Sequence, residues 1–151
     1  MISWFRQEHP ASCVAACVRM VLSGFGQTLE ETRIRELLGN PRFGLTLTQA
    51  TRKLLEIGAV AEWHDDWSLD DLRDSVRDGN FPIVGVERRF FGHKSATHAV
   101  VVIAVRSTEI EFLDSLSDSP EPNTANRETF LSAWESAGRE AFILLDLIPE
   151  I

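Results

Sequence analysis

The sequence predicts an α+β fold in which N-terminal helices pack on a mainly antiparallel sheet. Helical periodicity dominates the first half of the chain, and segments rich in β-branched residues dominate the second half. The 151 residues are 44% hydrophobic, with no internal repeat and no Gly/Ser-rich linker. We therefore expect a single domain that spans residues 1–151.

Helices are predicted where apolar residues recur at helical spacing and a glycine or a capping residue marks an end. The first four predicted helices are residues 13–22, 29–38, 47–57 and 69–77. Three capping boxes are expected, from Thr28 to Glu31, from Thr46 to Gln49 and from Ser68 to Asp71. A last helix, residues 127–137, carries apolar side chains on one face and should pack against the sheet.

Strands are predicted mainly in the second half. Runs of β-branched and aromatic residues indicate strands at 81–87, 98–106, 109–115 and 141–147, and a shorter apolar piece lies at 59–63. Because helices are gathered at the front and strands at the back, the sheet should be mainly antiparallel, with the opening helix packed across it.

Composition excludes several classes of function. The formal net charge of -8 argues against binding to a nucleic-acid backbone. The longest apolar run, residues 99–105, is far too short to span a membrane. The start "MISWFRQEHP" has no features of a secretory signal, so we expect a cytoplasmic protein whose two cysteines are free thiols.

The two cysteines lie four residues apart in "RQEHPASCVAACVRM". Pro10 precedes a run typical of a helix that starts near Ser12, which places Cys13 in the first turn and Cys17 one turn deeper. The N–H groups and the positive end of the dipole at a helix N-terminus favour a thiolate. Both cysteines could instead be small buried core residues, but only Cys13 is placed for chemistry.

A cysteine nucleophile requires a base and a group that orients the base. Among four histidines, His98 stands out because it begins the most apolar strand and would be held rigidly at the rim of the sheet. Asp114 ends the following strand and could accept the second ring N–H of His98. Gln7, six residues before Cys13, could donate its amide to an oxyanion together with the Cys13 backbone N–H.

These residues resemble a known family, the papain-like cysteine peptidases that remove double-glycine leaders from bacteriocins and related peptides. Family members have a glutamine, five residues, the catalytic cysteine and often a second cysteine four residues later, as in "QEHPASCVAACVRM". The catalytic histidine begins a strand similar to "HAVVVIAV", and the aspartate follows on the next strand, as in "IEFLDS". An "F…W" helix before a final apolar strand also matches, so the resemblance spans nearly the whole chain.

The resemblance implies a papain-like fold and a cysteine peptidase in which Cys13 is the nucleophile, His98 the base, Asp114 its orienting group and Gln7 an oxyanion donor. The substrate would be a peptide or protein, hydrolysed through a thioester acyl-enzyme, and processing of a leader or partner protein fits this chemistry. No cofactor or metal is expected. A protein partner could supply regulation or the substrate, and no nucleic-acid partner is predicted.

Two other functions remain open from the sequence. A catalytically silent peptide-binding module would keep the groove, although the retained Cys13 and His98 argue against it. A thiol amidase or acyltransferase would use the same thioester but resolve it with a different acceptor. A metal site is disfavoured because the two cysteines lack further ligands at recognised spacings.

Two further motifs are assigned structural roles. The segment "WHDDW", residues 63–67, is interpreted as a connection from a strand to a helix rather than a metal or sugar site. The segment "ERRFFGHKSAT", residues 87–97, is interpreted as a mobile loop beside the active site that could gate the substrate.

Overall fold

The computed structural model describes residues 1–149, so the last two residues of the predicted domain lie outside the described part. Within it the elements follow the order α1 (Cys13–Gly24), α2 (Glu31–Leu37), α3 (Leu47–Glu56), β1 (Ala61–His64), α4 (Leu69–Arg77), β2 (Ile83–Glu87), a 3₁₀ helix (Arg88–Phe91), β3 (Thr97–Val105), β4 (Glu109–Leu113), β5 (Asn123–Asn126), α5 (Arg127–Ser136) and β6 (Ala141–Leu144).

The six strands form one sheet in the order β1-β6-β2-β3-β4-β5. Every pair of neighbouring strands is antiparallel. The predicted α+β class with an antiparallel sheet is therefore confirmed. β3 lies inside the sheet with β2 on one side and β4 on the other, which explains why its sequence is an almost continuous run of Val, Ile and Ala.

Helices cover both faces of the sheet and create two cores. The side chains of successive residues in β2 and β3 point to opposite faces of the sheet, as the two-residue period of a strand requires. Ile83 and Val101 join the core that contains the apolar side of α1, and Val84 and Val100 join the core that contains Phe130 of α5. The predicted packing of the opening helix across the sheet is thus observed.

Two of the three predicted capping boxes are present, at Thr46 with Gln49 and at Ser68 with Asp71. The third, from Thr28 to Glu31, was wrong, because α2 begins only at Glu31 and has no side-chain cap. Glu31 is instead buried, and its two carboxylate oxygens accept hydrogen bonds from the Glu8 N–H at 3.1 and 3.2 Å. The Glu31 carboxylate therefore makes a contact with a residue distant in the chain instead of the predicted capping bond to Thr28.

The sequence analysis also missed one strand, β5. Its residues, Asn-Thr-Ala-Asn, are polar and partly exposed, and they form the edge of the sheet by pairing with β4 alone. The apolar piece at 59–63 overlaps β1, the opposite edge strand, at residues 61–63. None of the helices within residues 1–149 has the length and apolar character needed to cross a membrane.

Candidate active site

α1 begins at Cys13, as predicted, and its N-terminus is not capped by a side chain. Ser12 occupies the cap position, but its hydroxyl donates to the His9 carbonyl at 2.8 Å and accepts from the His9 N–H at 3.1 Å. The first N–H groups of the helix are therefore left for other acceptors. One of them, the N–H of Val14, helps to lower the pKa of the Cys13 thiol.

His98 and Asp114 come together because their strands pair. The register places Val101 opposite Leu113, so one step further along brings Asp114 opposite Val100 and diagonally next to His98 on the same side of the sheet. His98 Nε2 lies 2.7 Å from Asp114 Oδ1. The same carboxylate oxygen accepts the Leu116 N–H at 2.8 Å, which fixes the carboxylate after the strand ends.

Cys13 and His98 line the same groove, and the charge of His98 acts on the Cys13 thiol, while Asp114 engages Nε2 of the ring. Burial alone would raise the pKa of Cys13, but the hydrogen bond and charge of His98 and the N–H groups of Ala99 and Val14 lower it below the ordinary value. Burial would lower the pKa of His98, yet its bonds to Asp114 and Cys13 raise that pKa to about 9. Both shifts favour a thiolate next to an imidazolium over the neutral pair.

Asp114 completes the charge balance. Burial would raise the pKa of its carboxyl group, but the hydrogen bond and charge of His98 hold it below the usual value. The imidazolium therefore donates from Nε2 to an ionised carboxylate, and this fixes the ring orientation.

Cys17, one turn deeper in α1, has the opposite environment. It is fully buried in the core under α1, and burial raises its pKa well above the ordinary value, with the neighbouring Cys13 adding to the rise. Both cysteines are free thiols. The two sulfurs thus differ in the way predicted for a helix N-terminus and a helix interior.

The N-terminal segment fastens the strand end that carries Asp114. The Trp4 indole N–H donates to the Asp114 carbonyl at 2.7 Å, and the Gln7 N–H donates to the Ser115 carbonyl at 3.0 Å. Ser115 is completely buried, and its hydroxyl donates to Gln7 Oε1 at 2.7 Å. Trp4 and Ser115 were missed in the sequence, although Ser115 follows Asp114 directly.

Gln7 belongs to these contacts with the end of β4 and is not among the residues that line the groove. Its amide Nε2 donates to the His9 carbonyl at 2.9 Å and to the Pro10 carbonyl at 3.2 Å. Gln7 thereby shapes the turn that leads into Cys13. Its predicted part as an oxyanion donor stays a prediction, because that part requires one amide hydrogen to leave its backbone acceptor.

A groove of about 600 Å³ runs over Cys13 and His98. One wall contains the loop before α1 and residues 43–49, and the other contains the ends of β2 and β3. Phe43 stands on the first wall with its ring 88% exposed, and Arg88 stands on the second. Arg88 was also missed, because nothing in the run "ERRFF" separates it from its neighbour Arg89.

The segment expected to be a loop beside the site contains the 3₁₀ helix and does border the groove. It is held at both ends by Glu87, whose carboxylate accepts the N–H groups of Arg89 and Ala96, each at 3.0 Å, and the hydroxyl of Ser95. The predicted mobility of this loop remains a prediction.

The other histidines lie outside the pair of Cys13 and His98. His9 accepts the Ala11 N–H in the opening turn, and His64 stacks on Trp67 with ring centroids 4.3 Å apart. His93 borders two smaller cavities on the Asp114 side. Within residues 1–149, no three His, Cys, Asp or Glu side chains are grouped so as to hold a metal ion.

Comparison with known proteins adds a family and a fold. The model of the Peptidase_C39 like family matches residues 1–142. A Bacillus anthracis protein described as a C39-like peptidase superposes with a TM-score of 0.77 at 17% identity, covering 98% of this chain and 96% of that one. No curated protein sequence matches the chain.

Two further solved structures share the fold. The peptidase domain of Streptococcus ComA, a bifunctional ABC transporter of a quorum-sensing pathway, gives a TM-score of 0.71 at 17% identity, covering 97% of this chain and 99% of that one. A double glycine motif protease from an AMS/PCAT transporter, solved with its leader peptide, gives 0.69 at 15% identity, covering 96% of this chain and 93% of that one.

The contrast between the cysteines predicts selective alkylation. In the folded protein at pH 7, iodoacetamide should modify Cys13 at least about tenfold faster than Cys17, because only Cys13 is a thiolate within reach of solvent. Mass spectrometry of the digested protein after timed quenching gives both rates. In denaturant the two rates should converge, and equal labelling in the folded state would contradict the assignment.

Proposed function

Since the chain belongs to the Peptidase_C39 like family and is a cysteine peptidase, we propose that it hydrolyses a peptide bond in a leader or related peptide through Cys13, His98 and Asp114. The observation that carries this proposal is the position of Cys13 and His98 in one groove, with the His98 ring hydrogen-bonded to the Asp114 carboxylate at 2.7 Å. A nucleophile, a base and an orienting group in that order are the requirement for thiol acyl transfer.

In the first step the Cys13 thiolate attacks the carbonyl carbon of the scissile bond. The C–N bond then breaks, and the His98 imidazolium gives its proton to the leaving amine. The product is a thioester between Cys13 and the N-terminal part of the substrate. The pKa of about 9 on His98 supports this order, because the proton needed by the amine is already on the ring at neutral pH.

In the second step His98, now neutral, accepts a proton from a water molecule that attacks the thioester carbonyl. The C–S bond breaks, the product leaves as a carboxylic acid that loses its proton to solvent, and the thiolate and imidazolium are restored. Asp114 keeps the ring aligned in both steps through its hydrogen bond to Nε2. No group beyond this chain and water is needed for the balance of atoms and charge.

The oxyanion requires a donor next to Cys13. The backbone N–H of Cys13 is available in our proposal, because it is the first of α1 and Ser12 bonds to His9 instead of capping the helix. Gln7 would be the second donor if its amide exchanges the longer of its two bonds, at 3.2 Å to the Pro10 carbonyl, for the substrate oxyanion.

The groove supports a peptide as the substrate. Its walls combine apolar side chains such as Leu45 and Leu47 with strand-end residues such as Thr97, and its size suits several residues of extended chain. The protein solved with a leader peptide has the same fold, and we extend that class of substrate to this chain.

The proposal predicts cleavage that depends on Cys13. The protein is incubated with a library of proteome-derived peptides supplemented with synthetic peptides that contain a Gly-Gly pair, and new termini are identified by mass spectrometry. Cys13→Ala and His98→Ala should abolish the new termini. Cys17→Ala is the matched control and should retain them, since Cys17 is a small core residue. Absence of products with the native protein, or identical products with Cys13→Ala, would overturn the proposed function.

The charges of the pair predict a plateau in the pH profile. The value of kcat/KM should rise through the lowered pKa of Cys13, where the thiolate forms, and fall above a pH of about 9, where His98 loses its proton. Asp114→Asn should move the fall to lower pH, because the pKa of His98 is raised by that carboxylate. Asp118→Asn, at an exposed acid nearby, should leave the profile unchanged, and a fixed alkaline limb in Asp114→Asn would refute this origin.

The part proposed for Gln7 predicts a loss confined to the transition state. Gln7→Ala should lower kcat on the fastest library peptide by roughly 10²-fold, while alkylation of Cys13 stays near the native rate. Turnover at the native rate would exclude an oxyanion donor here. A parallel loss of Cys13 alkylation would instead identify Gln7 as a residue that only holds the turn before α1.

A further inference from the structure

Arg88 has a charged side chain that finds no partner among the residues the structure describes. Its Nε atom is buried and makes no hydrogen bond. Within residues 1–149, the side chain of Arg88 forms no ion pair, whereas other arginines such as Arg19 and Arg139 do. A guanidinium that is partly desolvated without a carboxylate is costly for the protein, so such an arginine is typical of a site that a ligand completes.

The carboxylates around Arg88 are engaged elsewhere. Glu87, its chain neighbour, accepts hydrogen bonds from Arg89, Ser95 and Ala96. Asp114 is bonded to His98 and to the Leu116 N–H. The charge of Arg88 does reach Asp114, where it is the last of several causes that lower the pKa of the carboxyl group. It therefore lies near the catalytic acid without pairing with it.

The position of Arg88 relative to His98 indicates which part of a substrate it meets. His98 lines the groove together with Cys13, and its Nε2 is hydrogen-bonded to Asp114. Arg88 and Leu116 line the groove over Cys13 and also a second cavity that Asp114 borders. Arg88 thus borders both the groove over Cys13 and the cavity beside Asp114. In the proposed mechanism the leaving amine takes its proton from His98, and a chain that follows the scissile bond past Asp114 would meet Arg88.

The groove has few charged side chains to compete for a ligand. Of the residues that line it in the described part of the chain, Arg88 is the single permanent cation, and Glu140 is the single carboxylate. The Glu140 carboxylate accepts the Trp63 indole N–H at 3.1 Å and the Thr48 hydroxyl at 3.2 Å. These bonds tie it to β1 and α3. A negatively charged substrate group would therefore find in Arg88 a cation that, unlike His98, is not already paired with a carboxylate.

We propose that Arg88 binds a carboxylate of the substrate on the C-terminal side of the scissile bond, and that this contact determines specificity. The planar guanidinium can hold a carboxylate with two parallel hydrogen bonds, one of them from the unpaired Nε. The carboxylate is an Asp or Glu side chain in the first residues after the cut, or the C-terminal carboxylate of a short peptide. This inference rests on the proposed peptidase function.

The test compares the products of the native protein with those of Arg88→Gln on the proteome-derived peptide library. The native protein should show Asp and Glu in the first three positions after the cut at about threefold above their frequency in the library, and Arg88→Gln should remove this excess. Arg88→Glu should replace it with an excess of Lys and Arg. Arg89→Gln is the matched control, since Arg89 is exposed and does not line the groove.

The position of the cuts separates the two sources of the carboxylate. An excess of acidic residues at cuts far from peptide ends identifies a side chain. Cuts clustered within three residues of the C-terminus, lost in Arg88→Gln, identify the terminal carboxylate. Products that lack both patterns, or keep them in Arg88→Gln, would overturn the part of Arg88 and leave the peptidase standing. Absence of any Cys13-dependent product would overturn the proposed function itself.

Discussion

The structure depends on one junction, where the N-terminus of α1 meets the ends of β3 and β4. Cys13 comes from the helix, His98 from one strand and Asp114 from the end of the other. Antiparallel pairing fixes the two strand residues relative to each other, but nothing in the sheet fixes the helix end along its axis. That task falls to the N-terminal segment, because Trp4 and Gln7 hydrogen-bond to Asp114 and Ser115. The nucleophile and its base are therefore tied to the same strand end.

This junction explains why polar groups at the start of α1 do not follow ordinary capping. A side-chain cap from Ser12 would stabilise the helix by about 1 kcal/mol. Its hydroxyl bonds instead to His9, and the N–H of Val14 is among the groups that lower the pKa of Cys13. The helix therefore lacks the stability that a cap would contribute, and the free N–H groups lower the pKa of Cys13 instead. The Glu31 carboxylate also bonds outside its own helix, because it accepts the Glu8 N–H.

The charged side chains near the site differ in how directly they contact the reacting groups. His98 is flanked by a thiolate and a carboxylate, so it carries its proton up to a pH of about 9. Arg88 forms no ion pair with Asp114, but its charge helps to lower the pKa of the Asp114 carboxyl group. Closer approach of Arg88 would compete with His98 for the carboxylate and weaken the alignment of the ring. Its separation therefore keeps the acid available for catalysis and leaves the guanidinium for a substrate group in our proposal.

The sequence by itself determined the elements whose cause is local. The start of α1 at Cys13, the caps at Thr46 and Ser68 and the apolar strand after His98 all follow from propensity, hydrogen bonding within a few residues and the period of burial. The family pattern added the grouping of Cys13, His98 and Asp114. Only the tertiary structure decided the rest. The polar edge strand β5 exists because β4 supplies its hydrogen bonds. The Gln7 amide donates to the carbonyls of His9 and Pro10 because the folded turn brings both within reach. Arg88 and Arg89 are equivalent in the sequence, and only the fold decides that Arg88 lines the groove. Contacts between residues distant in the chain leave no periodic or local signal, so they could be read only once the chain was folded.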